Sequence, residues 1–455
     1  MSMKRVVALV LLICTLFCVF GVSACSELGD KWIELDGSNE GKGGGSQEGQ
    51  QAGEQQGTEQ ENNQQSGSDI IHTGDIINNV TSNTVTINGQ SSDVTYAAAS
   101  GLRSAVSVYC MFEKTVTSGN PWNPTVSTQK YYSAGAGVIY RTEADGSAFI
   151  VTNFHVVYDG SSNSEMGISE EINVYLYGKE ADEYAIPAIY VGGSALYDVA
   201  VLRVSESEVL SKALESGAAQ AITLGSSDGV YPGQVGIAIG NPAGYGISVT
   251  RGIVSVDSEY ISMTAPDNSG NVTYRVIRID TPINSGNSGG GLYNGNGELI
   301  GIVNAKMSSS SVENIGYAIP VAIVRAVADN IIDYCFETEC YGVMRSIIGL
   351  SVIATDVYTA YDTETGLFIK RETVSIGQIT AGGLAAGAGL SVDDVIKTVK
   401  IGERAALEIT KTYHFVDAML DARVDDVIVI TYIDAKSGLQ ETATITVTQE
   451  CITEY

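Results

Sequence analysis

From Ala97 to about residue 320 the apolar positions come in short runs. "AGAGVIY", "AFIVTN", "INVYLYG", "DVAVLRV", "VGIAIG", "TRGIVSV", "YRVIRID" and "ELIGIVNA" are each β-branched and bounded by Gly, Asn, Asp or Pro. This cadence predicts an all-β barrel or sandwich. Helical period appears only at "IPVAIVRAVADNIIDYCF" (319–336), which suits a helix closing the domain. Strand-like runs resume in "IIGLSV", "GLFIKRE", "VSIGQIT", "DDVIKTVKI" and "DDVIVITYIDA". "TKTYHFVDAMLDA" carries Phe415, Met419 and Leu420 at helical spacing. The second unit is therefore a small mixed α+β domain, with the boundary near Tyr341.

The amino-terminal part has neither pattern. Lys4 and Arg5 precede an apolar run that ends in Val22, Ser23, Ala24 and Cys25, the layout of a secretory signal. Those four residues resemble the bacterial lipobox, whose cysteine takes a diacylglycerol; an uncleaved transmembrane anchor is the other reading. From Gly37 to Gly67 the chain is Gly, Gln, Glu, Ser and Asn with almost no apolar residue. That composition predicts a flexible tether spanning roughly 30 Å root-mean-square. The organisation expected is a lipoprotein-type signal at 1–25, a tether at 26–68 and an unassigned arm at 69–93. A folded domain at 94–335 and a second at 343–450 follow.

Charge and cysteine content narrow the classes. The 455 residues hold 25 Lys and Arg against 53 Asp and Glu, a net charge of −28. A polyanion offers nucleic-acid phosphates no basic surface, so no nucleic-acid partner is expected. Of seven cysteines, Cys14 and Cys18 fall in the signal and Cys25 is the expected lipidation site. Cys335 and Cys340 are spaced for a disulfide, although pairing is not determined by sequence. Without CxxC or nearby histidine, no metal site is expected.

One stretch is peculiar. "INSGNSGGGL" (283–292) wedges Ser288 among glycines between apolar runs, where glycine packs nothing. A serine hydroxyl becomes a nucleophile when a histidine oriented by a carboxylate takes its proton. The chain has three histidines, His72, His155 and His414, and only His155 shares the domain of Ser288. Of the seven aspartates between them, Asp159, Asp182, Asp228, Asp257 and Asp267 sit in turn-like contexts and Asp280 enters the serine loop. Asp198 alone lies in an apolar run, read as a strand. A carboxylate there costs several kcal/mol unless it is paired or well hydrogen-bonded. The glycines would let backbone N–H groups of Gly286 and Ser288 face a developing oxyanion.

His155, Asp198 and Ser288 follow the His–Asp–Ser order of the chymotrypsin-like proteases. "TNFHVV", "YDVAVLRV" and "GNSGG" resemble the three blocks of the HtrA (Deg) family within that fold. "AIGNPAGYGISVTRGIVS" and "GELIGIVNAK" are similar to further family segments. The resemblance covers roughly 94–335 and implies two six-stranded antiparallel β-barrels. "FIKRETVSIGQITAGGLAAGAGLSVDDVIKTV" resembles the core of a PDZ domain. By the same resemblance the chain is a serine endopeptidase of misfolded or damaged exported proteins, a homotrimer, and free of cofactors. Peptide C-termini would bind at Ile347, Ile348, Gly349 and Leu350. The pocket before the cut would be walled by Ile283 and by the strand Ile302, Val303, Asn304 and Ala305, along which substrate backbone would pair. The stretch from Glu113 to Tyr132 reads as a short loop. Phe154 stands where the family commonly has a polar residue or alanine. Two competing readings remain: a non-catalytic chaperone or adaptor, and a structural surface protein on a stalk.

Overall fold

The computed structural model describes residues 86–87, 90–91, 94–120, 123–307, 314–336, 340–363 and 366–454. The signal with Cys25, the tether and most of the arm lie outside them; within the arm Thr86–Ile87 pairs with Gln90–Ser91. Everything below belongs to the unit Asp69–Tyr455.

Val106, Val108, Cys110 and Phe112 are buried while Tyr109 and Met111 between them are not, and this period of two makes 105–120 a strand. A helix α1 (Val94–Leu102) leads into β1 (Ala105–Asn120), which pairs with β2 (Asn123–Thr142) in unbroken register to Asn120↔Asn123. The sequence predicts a short loop for Glu113 to Tyr132. The structure instead continues both strands through it, because Thr115, Thr117, Val126 and Thr128 favour extended pairing.

After β3 (Ala148–Thr152) a single turn α2 (Phe154–Val157) intervenes before β4 (Glu171–Leu176), β5 (Ile186–Ser194) and β6 (Val199–Val204). These strands close in the order β1-β2-β3-β6-β5-β4. Each fully buried Val, Ile or Leu inside contributes roughly 1.5–3 kcal/mol. Helix α3 (Glu208–Glu215), capped by the Ser207 hydroxyl accepting Leu210 N–H, leads on. A second closed barrel is built from β7 (Val235–Gly240), β8 (Ser248–Thr264), β9 (Asn271–Ile279), β10 (Gly291–Tyr293), β11 (Leu299–Val303) and β12 (Gly316–Pro320). Its order is β8-β9-β12-β11-β10-β7.

Helix α4 (Val321–Cys335) starts after Pro320 and packs on both barrels through Val321, Val324, Ala328 and Ile331. Buried Asn330 imitates a strand: its amide donates to Met344 O and accepts Met344 N–H, both at 2.8 Å, fixing the entry to the next unit. That unit comprises β13 (Met344–Ser346), β14 (Leu350–Tyr361), β15 (Phe368–Ile379), β16 (Val395–Ile401), β17 (Leu407–Glu408), α5 (Thr412–Leu420), β18 (Val427–Ile433), β19 (Gln440–Thr446) and β20 (Ile452–Glu454). Its main sheet runs β14-β15-β16-β18-β19. "GLFIKRE" and "VSIGQIT", read as two strands, form the single strand β15. The Cys335 and Cys340 thiols are both directed at Gly342 O, with Sγ···O of 3.2 and 3.6 Å.

Helix α5 docks on the second barrel through charge. Buried Arg275 of β9 pairs with Asp417, and its guanidinium lies 4.0 Å from the Tyr413 ring centroid. Lys411 reaches Asp257 at 2.5 Å and Arg325 of α4 reaches Asp421 at 2.6 Å. Burial pushes the Asp417 carboxyl up to about 6, against the pull of Arg275. Arg275→Met would strand a buried carboxylate and is expected to cost about 3–5 kcal/mol at pH 8. Without the pull of Arg275 the variant's carboxyl lies higher still and takes up its proton first, so this loss should shrink as pH falls from 8 toward about 6. Urea unfolding of both proteins at pH 5 and pH 8 measures it; an equal loss at both would contradict the assignment.

Candidate active site

His155 is placed by ties made just before it. Thr152 Oγ1 donates to Ala136 O at 2.7 Å and Asn153 Nδ2 to Asp198 O at 2.8 Å, so the end of β3 is locked before α2 begins. The expected position of Asp198 inside a strand is corrected: it occupies the turn before β6, with φ of 51°. Aspartate tolerates this left-handed region better than most residues. Its carboxylate grips His155 twice, Oδ1 accepting the backbone N–H at 3.0 Å and Oδ2 lying 2.7 Å from Nδ1. A carboxylate partner puts the proton on Nδ1 and leaves Nε2 free to accept one.

A third donor completes the carboxylate. Asn304 Nδ2 donates to Asp198 Oδ2 at 2.5 Å, from the end of β11 in the other barrel. Tyr274 of β9 braces the same turn by donating to Ala195 O at 2.8 Å, and burial pushes its hydroxyl pKa upward. Asn304 was expected to wall the substrate pocket; fully buried, it holds Asp198 instead.

Ser288 sits in a turn that only glycine permits on both sides. Gly286 has φ of 95°, and a Cβ there would lie 2.2 Å from Asn241 O. Gly289 has φ of 85°, and a Cβ would lie 2.1 Å from Ala136 O. The turn is held by Asn241 N–H to Gly286 O (3.2 Å), Ala243 N–H to Ser285 O (2.8 Å) and Ala136 N–H to Ser288 O (2.8 Å). The N–H groups of Gly286 and Ser288 bond no described residue. The hydroxyl accepts Ala305 N–H at 3.1 Å, and no hydrogen bond joins it to His155 among the described residues. In substrate-free sites such catalytic bonds are often long.

The expected substrate strand is revised as well. β11 stops at Val303, and Ala305–Met307 turns into a 3₁₀ helix, which is how Ala305 presents its N–H to Ser288. Ile302 is buried in the core with Ile239 and Ile319 rather than lining a pocket, whereas Val303 packs with Ile283. Asp280 is held away on β8, its Oδ1 accepting Ile253 N–H at 2.6 Å.

Asn304→Ala is expected to lower kcat/KM about tenfold or more, since a hydrogen bond to a charged group contributes about 1.5–3 kcal/mol. Asn304→Ser should restore part of the loss. A merely structural role would show as a lower melting temperature with kcat/KM unchanged.

A second site lies between β14 and α5. A groove of about 390 Å³ is lined by Ile348, Gly349 and Leu350 on one side and Phe415, Val416 and Met419 on the other. β14 ends its sheet, so among the described residues no strand pairs with its outer edge. The N–H groups of Ile348 and Gly349 bond no described residue. Ile347 is corrected: its N–H donates to Cys451 O at 2.8 Å and is not available to a ligand. Among the described residues no group of three metal-ligating side chains occurs, and no helix is long and apolar enough to cross a membrane.

A family model described as a trypsin-like peptidase domain matches residues 135–302. The chain is 35% identical over 273 residues to the serine protease Do-like HtrA of Bacillus subtilis (strain 168), a match covering 59% of this chain and 54% of the relative. It is 30% identical over 317 residues to the serine protease Do-like HtrA of Lactococcus lactis subsp. cremoris (strain MG1363), covering 67% of this chain and 69% of that protein. The chain thus spans about half the length of the Bacillus relative. Among solved structures it is similar to the HtrA-type protease AlgW with decapeptide, at 27% identity and a TM-score of 0.46, covering 77% of this chain and 97% of that one.

Proposed function

Because the chain belongs to the HtrA family of serine proteases, we propose that it is a serine endopeptidase working by acyl transfer. Ser288 Oγ attacks the scissile carbonyl carbon and its proton passes to His155 Nε2. Asp198 holds the imidazole and stabilises its charged form, and the N–H groups of Gly286 and Ser288 receive the oxyanion. His155 then gives the proton to the leaving amine, and water repeats the sequence on the acyl-enzyme. The observation that carries this reading is the double grip of Asp198 on His155 beside a glycine-bound serine.

Several parts of the proposal rest on sequence pattern and family likeness. The amino-terminal signal and Cys25 support export and lipid anchoring, with 26–68 as the tether. The unit after Tyr341 is proposed as a PDZ domain that takes peptide C-termini along the open edge of β14, with carboxylate donors at Ile348 and Gly349. Misfolded exported proteins as substrates and a homotrimeric state follow from the family. The groove also supports the runner-up, an adaptor that binds peptide ends without cutting them. An organophosphonate separates the two: the protease is labelled and Ser288→Ala is not, whereas an adaptor takes no label in either form.

The residue before the cut is expected to be a small aliphatic one such as Val, Ala or Ile. Half-buried Ile283 offers an apolar wall, and Asp280 is tied to Ile253 instead of supplying a basal carboxylate. Mass spectrometry of a digested unfolded protein tests this; cuts mainly after Lys or Arg would refute it.

A further inference from the structure

The nucleophile turn is held on two flanks. Toward β11, Gly289 N–H donates to Val303 O at 3.0 Å and Ala305 N–H to Ser288 Oγ at 3.1 Å. On the opposite flank Ala136 of β2 donates to Ser288 O at 2.8 Å. On the acyl-transfer reading above, with Ile283 walling the pocket before the cut on the second-barrel side, the half released as the amine runs over β2.

What β2 presents there follows from strand alternation. Val106, Val108, Cys110 and Phe112 fill the barrel, so Tyr109 and Met111 stand on its outer face with their ladder partners Ala134 and Tyr132. This face meets the loop after β7. Tyr109 donates its hydroxyl to Gly244 O at 3.0 Å, and a Cβ at Gly244 would lie 3.4 Å from Ala134 Cβ. The same loop braces the oxyanion turn through Asn241 and Ala243. Two large rings rise from this junction into solvent, Tyr132 at 72% exposure and Tyr245 at 92%. The next ladder charges, Glu113 and Lys130, pair with each other at 3.3 Å, and exposed Glu171 is the ladder partner of Met111 on β4.

We propose that Tyr132 and Tyr245 form the subsite for the leaving-group half of the substrate, selecting an aromatic or large aliphatic side chain within the first two residues after the scissile bond. The inference rests on the acyl-transfer reading above. An extended peptide advances about 3.3 Å per residue with side chains alternating, so one of its first two leaving-side residues faces the rings. Aromatic rings supply contact area and offset or edge-on stacking, which favours a partner of the same kind. Unfolded chains expose such residues, and folded ones hide them.

Peptides of fixed acyl half, with Phe, Leu, Gly or Asp at each of the two positions after the cut, test it. In the wild type, kcat/KM for Phe or Leu at one position is expected to exceed that for Gly about tenfold. In the Tyr132→Ala/Tyr245→Ala protein this ratio should fall to near one. A variant that takes the organophosphonate label yet keeps the wild-type ratio overturns the inference alone. A wild type that takes no label overturns it together with the acyl-transfer reading. A changed oligomeric state with an unchanged ratio would instead assign the two rings to a contact between copies.

Discussion

Ser288→Ala is expected to lower kcat for peptide hydrolysis about 10⁶-fold, and His155→Ala by a similar factor. The two act as one unit, so the double variant should be no worse than either. No other side chain stands ready to replace the base. His414 is the other histidine among the described residues, buried on α5 with Nε2 3.8 Å from Asp228 Oδ1. Burial also holds it below the usual histidine range, so it stays neutral. The fold should survive, because the Ser288 hydroxyl gives up one hydrogen bond, from Ala305 N–H. Steady-state kinetics with a thermal melt of each variant measures this. Full activity in His155→Ala would end the mechanism.

Asp198→Asn should lower kcat about 10⁴-fold through the imidazole tautomer. The carboxylate accepts three donors: His155 N–H at Oδ1, and His155 Nδ1–H with Asn304 Nδ2 at Oδ2. An amide has a single acceptor oxygen. With that oxygen facing Asn304, its NH₂ opposes the His155 backbone N–H. With the amide turned over, the NH₂ faces Nδ1 and drives the imidazole proton to Nε2, where a base needs a lone pair. Either placement leaves a buried donor unpaired, so stability should fall as well, by about 1–3 kcal/mol. The kinetic loss without any stability loss would mean that the three-donor arrangement has been misassigned.

How far the sequence led depends on the kind of signal. Ser288 and His155 were legible because glycine has no packing use in that quantity and because histidine is scarce. Asp198 was singled out as a candidate for a partly mistaken reason. The apolar residues around it suggested a strand, yet its left-handed backbone puts it in a turn, and no propensity scale reports a backbone angle. Asn304 was taken for a pocket wall because the strand was read through Ala305, two residues too far; it ends at Val303. The hairpin tip at Glu113 to Tyr132 hid because its Ser, Thr and Gly residues read as loop while their pairing is supplied by the opposite strand. Strand β5 escaped for a related reason: Pro187 and Gly192 interrupt it. The Arg275–Asp417 pair joins residues far apart in sequence, and nothing local announces it.

The division of the site between the barrels has a consequence in time. The chain is made from its amino end at about 5–20 residues per second, so residues 105–204 are complete on the order of ten seconds before Ser288 is added. In that interval the first barrel can hold His155 against Asp198 with no hydroxyl to activate. It also lacks Asn304 to complete the carboxylate and Tyr274 to brace its turn. On the proposed mechanism a half-made chain is therefore harmless to its neighbours, and cutting would begin only once the second barrel has closed.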